Sequence, residues 1–225
     1  MVQADSLVAE IRQALAPLEE RIRQHPYLSA LEEGRLPRER LRLFAGEQYT
    51  ILGSDLRSIA HLVARFGDTP SREFFLNSLQ GERAAWDALL AFARALGLSE
   101  ADLRAYEPQP GAHAYTNYVA WLALYGSEAE VAAAFLVNLA AWGANCGRMS
   151  RALKTRYGLR EADVAFFDMF AAVPAGFEAG ALAVIQAGLA RGAEPARIRR
   201  AARLLQAYEL LFWDTVHQAS EAATS

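Results

Sequence analysis

The sequence has one cysteine, Cys146, in 225 residues. A single thiol excludes an internal disulfide and any metal centre built from several thiolates, and it fits a reducing, cytoplasmic setting. Histidine is almost as scarce, with His25, His61, His113 and His217 the whole supply. No Glu-x-x-His occurs, which argues against the paired carboxylate–histidine helices of a di-iron centre. Asp214 and His217 have ligand-like spacing but no second pair, so no metal is expected. Haem needs an axial ligand; the early His25 precedes a proline and reads better as a cap or turn residue. Long apolar runs are missing too. No uninterrupted stretch looks long enough to span a bilayer, and the polar opening Met1-Val2-Gln3-Ala4-Asp5 does not read as a secretory signal. Neither charge sign is in strong excess: 23 basic and 26 acidic residues leave a net charge of −3. The chain as a whole is therefore not a natural polyanion binder. Its clearest basic run, Arg197-Ile198-Arg199-Arg200, reads as a solvated helix face, and no nucleic-acid partner is expected. Lys154 is the only lysine, a bias that reads as genome base composition. There is no glycine-rich phosphate loop and no Gly-x-Ser-x-Gly elbow.

What is present is a globular composition, 53% hydrophobic and 22% charged. Apolar residues recur at helical spacing nearly everywhere, without convincing strand alternation. The pattern predicts an amphipathic helix over 6–24, capped by Ser6 and ended by His25-Pro26, since proline disfavours helix in the residue before it. A short helical turn follows, then a helix opened by Pro37 and reaching Phe66. Further helices are expected from Ser71 to Gly97, briefly after Ser99, over about 112–125, from a Ser127/Glu130 capping box to Tyr157, over about 161–191 with a break at Pro174, and from Pro195 to about Gln218. No linker or repeat divides the chain. Residues 1–225 read as one all-α bundle of seven or eight helices.

In such a bundle, function is sought where a polar residue interrupts an inward stripe, because burying an unpaired polar group costs roughly 2–7 kcal/mol. The stripe Leu41, Phe44, Gln48, Ile51, Leu52, Asp55, Ile59 carries Gln48 and Asp55, with Glu47 and Tyr49 flanking it. Phe75, Leu79, Glu82, Trp86 turns Glu82 inward. Val131, Phe135, Asn138, Trp142, Asn145, Met149 brings in two amides. Ile198, Leu205, Glu209, Phe212, Val216 brings in Glu209. The segment 112–125 adds Tyr115, Tyr118 and Trp121. Together these imply an aromatic-walled small-molecule pocket with a few carboxylates and amides. For each residue alone, a satisfied core polar group is the commoner explanation, and for Asp55 a neighbouring arginine such as Arg57 is the candidate partner. Glu209 stands out, because a carboxylate among large apolar neighbours has the raised pKa that acid–base catalysis requires.

Three motifs carry a family resemblance. Tyr208-Glu209-Leu210-Leu211-Phe212-Trp213-Asp214 resembles the YE-x-x-FWD signature that closes the TenA proteins, the thiaminase II group. His25-Pro26-Tyr27 with Gly34-Arg35-Leu36-Pro37 resembles their opening, and Ala114-Tyr115-Thr116-Asn117-Tyr118 their AYT-x-Y segment. The resemblance implies a haem oxygenase-like helical fold, a central pocket and aminopyrimidine hydrolysis in thiamin salvage. It gives Glu209 and Tyr115 the family's glutamate and tyrosine roles. Two positions depart from it. Leu139, or Asn138 with a one-residue shift, stands where the family has a nucleophilic cysteine, and Gln48, or Glu47 with a similar shift, replaces a helix aspartate. Neither leucine nor an amide can attack as a thiolate does. A carboxylate route, known in a subgroup without the cysteine, would draw on Glu47, Glu82 and Glu209.

Three readings follow. The first is an enzyme acting without a cofactor on a small heteroaromatic compound. There Glu209 transfers the proton, Tyr115, Gln48 and Asn138 orient the substrate, and Phe44, Trp142 and Trp213 stack on its ring. The second is a non-catalytic family member that binds a ligand or protein partner. A cofactor-free oxidase resembling PqqC is a third, weakened by the lack of basic residues on the stripes. The apolar helical faces make a homo-oligomer an expectation.

Overall fold

The computed structural model describes residues 2–221. It contains ten α-helices and one short 3₁₀ turn, with no strand among the described residues. The helices are α1 (Ala4–Arg23), α2 (Pro26–Glu32), α3 (Arg38–Arg65), α4 (Ser71–Ala95), α5 (Glu100–Arg104), α6 (Pro110–Tyr125), α7 (Glu128–Tyr157), α8 (Ala165–Ala171), α9 (Phe177–Ala190) and α10 (Pro195–Glu221).

The helix boundaries follow from local chemistry. The Ser127/Glu130 pair forms a reciprocal capping box at the start of α7, and Ser99/Asp102 forms another at α5. His25 closes α1 and caps α2: its Nδ1 accepts the Tyr27 N–H at 3.2 Å, while Nε2–H donates to Asp214 at 3.1 Å. The ring thus ties the second helix to the last one. Gly158 adopts φ +67° and ends α7 in the left-handed region, where glycine carries no side-chain penalty. Three expectations are corrected. Neither Ser6 nor Ser71 is a cap, because α1 starts two residues before Ser6 and Ser71 is itself the first, buried residue of α4. The stretch 161–191 is divided into a 3₁₀ turn, α8 and α9, with Pro174 in the gap. The count exceeds eight for that reason, and because the short turn after His25 is a helix in its own right, α2.

The long helices pack as a bundle: α3 against α4 and α6, and α10 against α6 and α7. The core has two parts. One, around Tyr27, Phe44, Phe92, Phe167 and Trp213, lies among α2, α3, α4, α7, α8 and α10. The other, around Leu7, Phe75, Val131, Val137, Ile185 and Leu205, lies among α1, α4, α7, α9 and α10. Helix α7 runs through both. It is long and apolar enough to cross a membrane, yet 72% of its most apolar window is buried inside the protein. Its alanine-rich apolarity is that of a central core helix, which close packing demands. At Gly143 a β-carbon would stand 2.5 Å from the Phe170 carbonyl oxygen, so glycine is what lets α8 lie this close to α7.

Candidate functional site

Where the two core regions meet, a pocket of about 610 Å³ opens between α3, α4, α6, α7, α10 and the α8–α9 connection. Six residues expected from the sequence share its lining: Gln48, Glu82, Tyr115, Asn138, Trp142 and Glu209. Three others do not. Phe44 and Trp213 are fully buried behind the wall. Phe44 lies nearly parallel to Trp142, with centroids 6.4 Å apart and an interplanar angle of 5°. These rings support the wall ring Trp142 rather than presenting a face to a ligand. Glu47 points to another side of α3, where its Oε1 accepts the Tyr106 hydroxyl at 2.6 Å and the Gln109 N–H at 2.8 Å. Gly46 leaves room for the Tyr106 ring beside it, since a β-carbon there would sit 2.5 Å from that ring. Glu47 thus pins the segment leading into α6.

The centre of the site is a chain of side-chain hydrogen bonds. The Tyr115 hydroxyl donates to Asn138 Oδ1 at 2.9 Å. Asn138 Nδ2 donates to Glu209 Oε2 at 2.5 Å and to Gln206 Oε1 at 2.9 Å. Trp213 Nε1–H, one helical turn on, donates to Glu209 Oε1 at 3.2 Å. Both Glu209 oxygens are thereby fixed in direction. Glu209 is 2% exposed. Loss of water around the carboxylate pushes its pKa up to about 8, against the two hydrogen bonds that favour the ionised form.

Sequence reasoning left Asp55 out of the site; with the expected Glu82 it makes a second acidic wall. Asp55 lines the pocket and accepts the Thr116 hydroxyl at 2.5 Å. Its expected partner, Arg57, instead donates to the Gly53 carbonyl. Burial lifts Asp55 to about 7. Glu82, across from it on α4, rises to about 8 through burial first and the neighbouring Asp55 charge second. Tyr115 feels Asp55, Glu209 and Glu82 together, and burial with these charges holds its phenol protonated. The usable signal for Asp55 was its place on the inward stripe two turns from Gln48; assigning it to Arg57 obscured that signal. The α8–α9 residues Met169, Phe170 and Phe177 complete the wall. No signal short of tertiary structure marked these.

The site has no thiol. Leu139 lines the pocket, whereas Cys146 is buried elsewhere in the core, its pKa driven well above the normal thiol range by burial. Ser78 is on the wall, but its hydroxyl donates to the Phe74 carbonyl. No group of three or more histidine, cysteine and acidic residues suited to a metal occurs among the described residues.

The sequence from 12 to 219 matches the family model described as TENA/THI-4/PQQC family. The chain belongs to that family. Among its curated relatives are two proteins named aminopyrimidine aminohydrolase. The one from Halalkalibacterium halodurans is 27% identical over 132 residues, and the one from Bacillus subtilis 29% identical over 135. These matches cover 58% and 56% of this chain, and 59% and 54% of the relatives' own lengths. A 4-aminobenzoate synthase from Chlamydia muridarum is 26% identical over half of each chain. Among solved structures, a TenA homologue from Pseudomonas syringae superposes with a TM-score of 0.80 at 17% identity, covering 96% of both chains. A haem oxygenase-like domain from Shewanella denitrificans gives 0.77 at 13% identity, covering 96% and 94%. The fold of this TENA/THI-4/PQQC member is thus haem oxygenase-like, while its relatives carry differently named activities.

Proposed function

We propose that the pocket binds a small, flat heteroaromatic amine and hydrolyses it as an aminopyrimidine aminohydrolase-type reaction of thiamin salvage, using carboxyl groups and no thiolate. The observation that carries this reading is one aromatic-walled pocket faced by Asp55, Glu82 and Glu209, none paired with a cation among the described residues, with Tyr115 and Asn138 between them. Aromatic walls bind the ring; the polar groups orient it. The relatives named aminopyrimidine aminohydrolase support the substrate class.

The chemistry follows from the raised pKa values. Near neutral pH each carboxyl is populated in both acid and ionised forms, which suits proton transfer in either direction. Water attacks the carbon bearing the amine, a C–O bond forms and the C–N bond breaks. One ionised carboxylate takes the water proton. A carboxylic acid, which we assign to Glu209, gives its proton to the leaving nitrogen, so that an alcohol or oxo product and free amine result. Asn138 holds Glu209 in place, and Tyr115, which stays protonated, donates through Asn138. The protein works in the cytoplasm in this reading, consistent with its single buried thiol. It self-associates through exposed apolar side chains such as Trp121, Leu124 and Tyr125.

The test combines thermal-shift screening of pyrimidines with a coupled ammonia assay. A ligand at about a hundredfold excess over its Kd stabilises by about 2.7 kcal/mol. Glu209→Gln is expected to retain binding and to lose roughly 10²–10⁴-fold in turnover. A second reading, ligand binding without turnover, is favoured by Leu139 or Asn138 standing where the resemblance places the family nucleophile. Tight binding of an aminopyrimidine with no ammonia release by the wild type selects it. Full turnover in Glu209→Gln removes the role assigned to that residue.

A further inference from the structure

We propose that Asn138 and Gln206 form a proton-coupled amide switch: when Glu209 takes up a proton from solvent, both amides turn over, and the Tyr115 hydroxyl is released from Asn138 to donate into the pocket. Gln206 is the positioning residue of this switch and acts through Asn138. The inference rests on the pocket reading above and names what sets the hydrogen-bonding polarity of that pocket.

Three observations carry it. First, Gln206 is fully buried and only half used. Its Oε1 accepts from Asn138 Nδ2 at 2.9 Å, while its Nε2 has no partner among the described residues. A buried amide nitrogen left idle costs free energy. Second, the arrangement seen suits an ionised Glu209. Trp213 Nε1–H donates to Oε1 and Asn138 Nδ2 donates to Oε2, so both oxygens are held as acceptors. An indole N–H only donates, but a side-chain amide can turn and present its oxygen instead. The proton therefore goes to Oε2, and Asn138 turns its Oδ1 to accept it. Third, the neighbours can follow. Gln206 turns as well, and its idle Nε2 donates to the same Oδ1. Asn138 Nδ2 then takes the place of the oxygen that now accepts from the Tyr115 hydroxyl at 2.9 Å, and donates to the Tyr115 oxygen. Tyr115 lines the pocket and keeps its hydrogen, because burial and the charges of Asp55, Glu209 and Glu82 hold the phenol protonated. That hydrogen is then free for a ligand. An ionised Glu209 gives a pocket that accepts at Tyr115; a protonated one gives a pocket that donates there. The titratable groups facing the cluster are Glu19 from α1, Tyr27 from α2 against Trp213, Asp55 from α3, Glu82 from α4, Tyr115 from α6 and Cys146 from α7. Asp55 and Glu82 titrate close to Glu209, at about 7 and about 8, and the variants below separate them from it.

The experiment is titration calorimetry from pH 6 to 9.5 with quinoline, whose ring nitrogen only accepts, and indole, whose ring N–H only donates; both are neutral over this range. For wild type, the ratio of quinoline to indole affinity is expected to fall about tenfold as pH rises, the scale of one buried hydrogen bond, with its midpoint near pH 8. Tyr115→Phe lacks the hydroxyl, and Glu209→Gln carries an Nε2 in place of the proton. Each should hold the ratio constant to within about threefold. Gln206→Met leaves Asn138 Nδ2 without its second acceptor beside an ionised Glu209, and should move the midpoint up by about half to one pH unit. A Gln206 that only fills space would leave the midpoint in place, which overturns its assignment. Thermal melts accompany every variant, and Tyr115→Phe and Glu209→Gln test the switch should Gln206→Met not fold. A fall that survives undiminished in both of those variants belongs to Asp55 and Glu82 and overturns the switch. A ratio independent of pH in wild type overturns the switch and leaves the pocket reading intact. Failure of both compounds to bind overturns the switch and the aromatic pocket together.

Discussion

Glu209→Gln offers a test of the site that needs no substrate. The substitution keeps the size and shape of the side chain and removes its ionisation. In the fold the carboxyl is 2% exposed and its pKa stands at about 8, against an ordinary glutamate value of 4.5. The sign follows directly. A carboxyl whose folded pKa lies above its unfolded pKa binds a proton more tightly in the folded state. Its stabilising contribution is complete below pH 4.5 and is lost as pH rises to about 8. Each pKa unit corresponds to about 1.4 kcal/mol. The wild type therefore loses a few kcal/mol across that window from this group alone, and the glutamine variant does not. One hydrogen bond does not confuse the comparison. A protonated Glu209 Oε2 and a glutamine Nε2 both meet Asn138 Nδ2 as donor against donor, so the penalty is shared at low pH. The assay is urea unfolding of both proteins from pH 4 to 9. Equal stability near pH 4, with a gap in favour of the variant that opens from about pH 4.5, widens to about pH 8 and levels off above, is the expected result. Parallel curves across the whole range would refute a buried, proton-holding Glu209. Asp55 and Glu82 add slopes of the same sign in the same window, but both proteins contain them and they cancel in the difference.

Gly143→Ala should push the Phe170 backbone away from α7, because the new methyl would lie 2.5 Å from its carbonyl oxygen. Such overpacking costs about 1–3 kcal/mol; an unchanged melting temperature would show that α8 moves freely, and Phe170 on the pocket wall with it. Glu47→Ala removes the acceptor of the Tyr106 hydroxyl and the Gln109 N–H. Stability should fall by about 2 kcal/mol while affinity for pocket ligands stays within about twofold; a large loss of affinity would return Glu47 to the site. Cys146 is fully buried with its thiolate disfavoured. It should react with a thiol reagent only on unfolding, and labelling of the native protein at the rate of a free thiol would contradict its position.

The fold was largely legible because its signals are local. A serine followed three residues later by an acid, a His-Pro pair and a glycine in the left-handed region each mark a helix end through their own backbone chemistry, and α5, α2 and α7 begin or end where these features stand. The failures share a cause. Ser6 and Ser71 have the right residue type for a cap, but the burial of Ala4 and Ser71 extends each helix one or two residues earlier. Packing overrode a cap worth only about 1 kcal/mol.

The site was legible in outline and not in detail, because helical periodicity gives a direction but no depth. Phe44, Trp142 and Trp213 all point inward, yet only Trp142 reaches the pocket; the other two stand one ring farther back. Glu47 and Gln48 are adjacent, so consecutive positions on α3 send one side chain to Tyr106 and the other to the pocket. Asp55 shows the opposite error. It was discounted because an arginine lies two residues away, but residues two apart on a helix do not face each other, and Arg57 turns to its own backbone. With Asp55 restored, the pocket has three carboxyl groups, and Leu139 and Asn138, the two positions that the resemblance offers for the nucleophile, both line it. Neither an apolar side chain nor an amide attacks as a thiolate does. The groups in this pocket placed to hold and release protons near neutral pH are Asp55, Glu82 and Glu209.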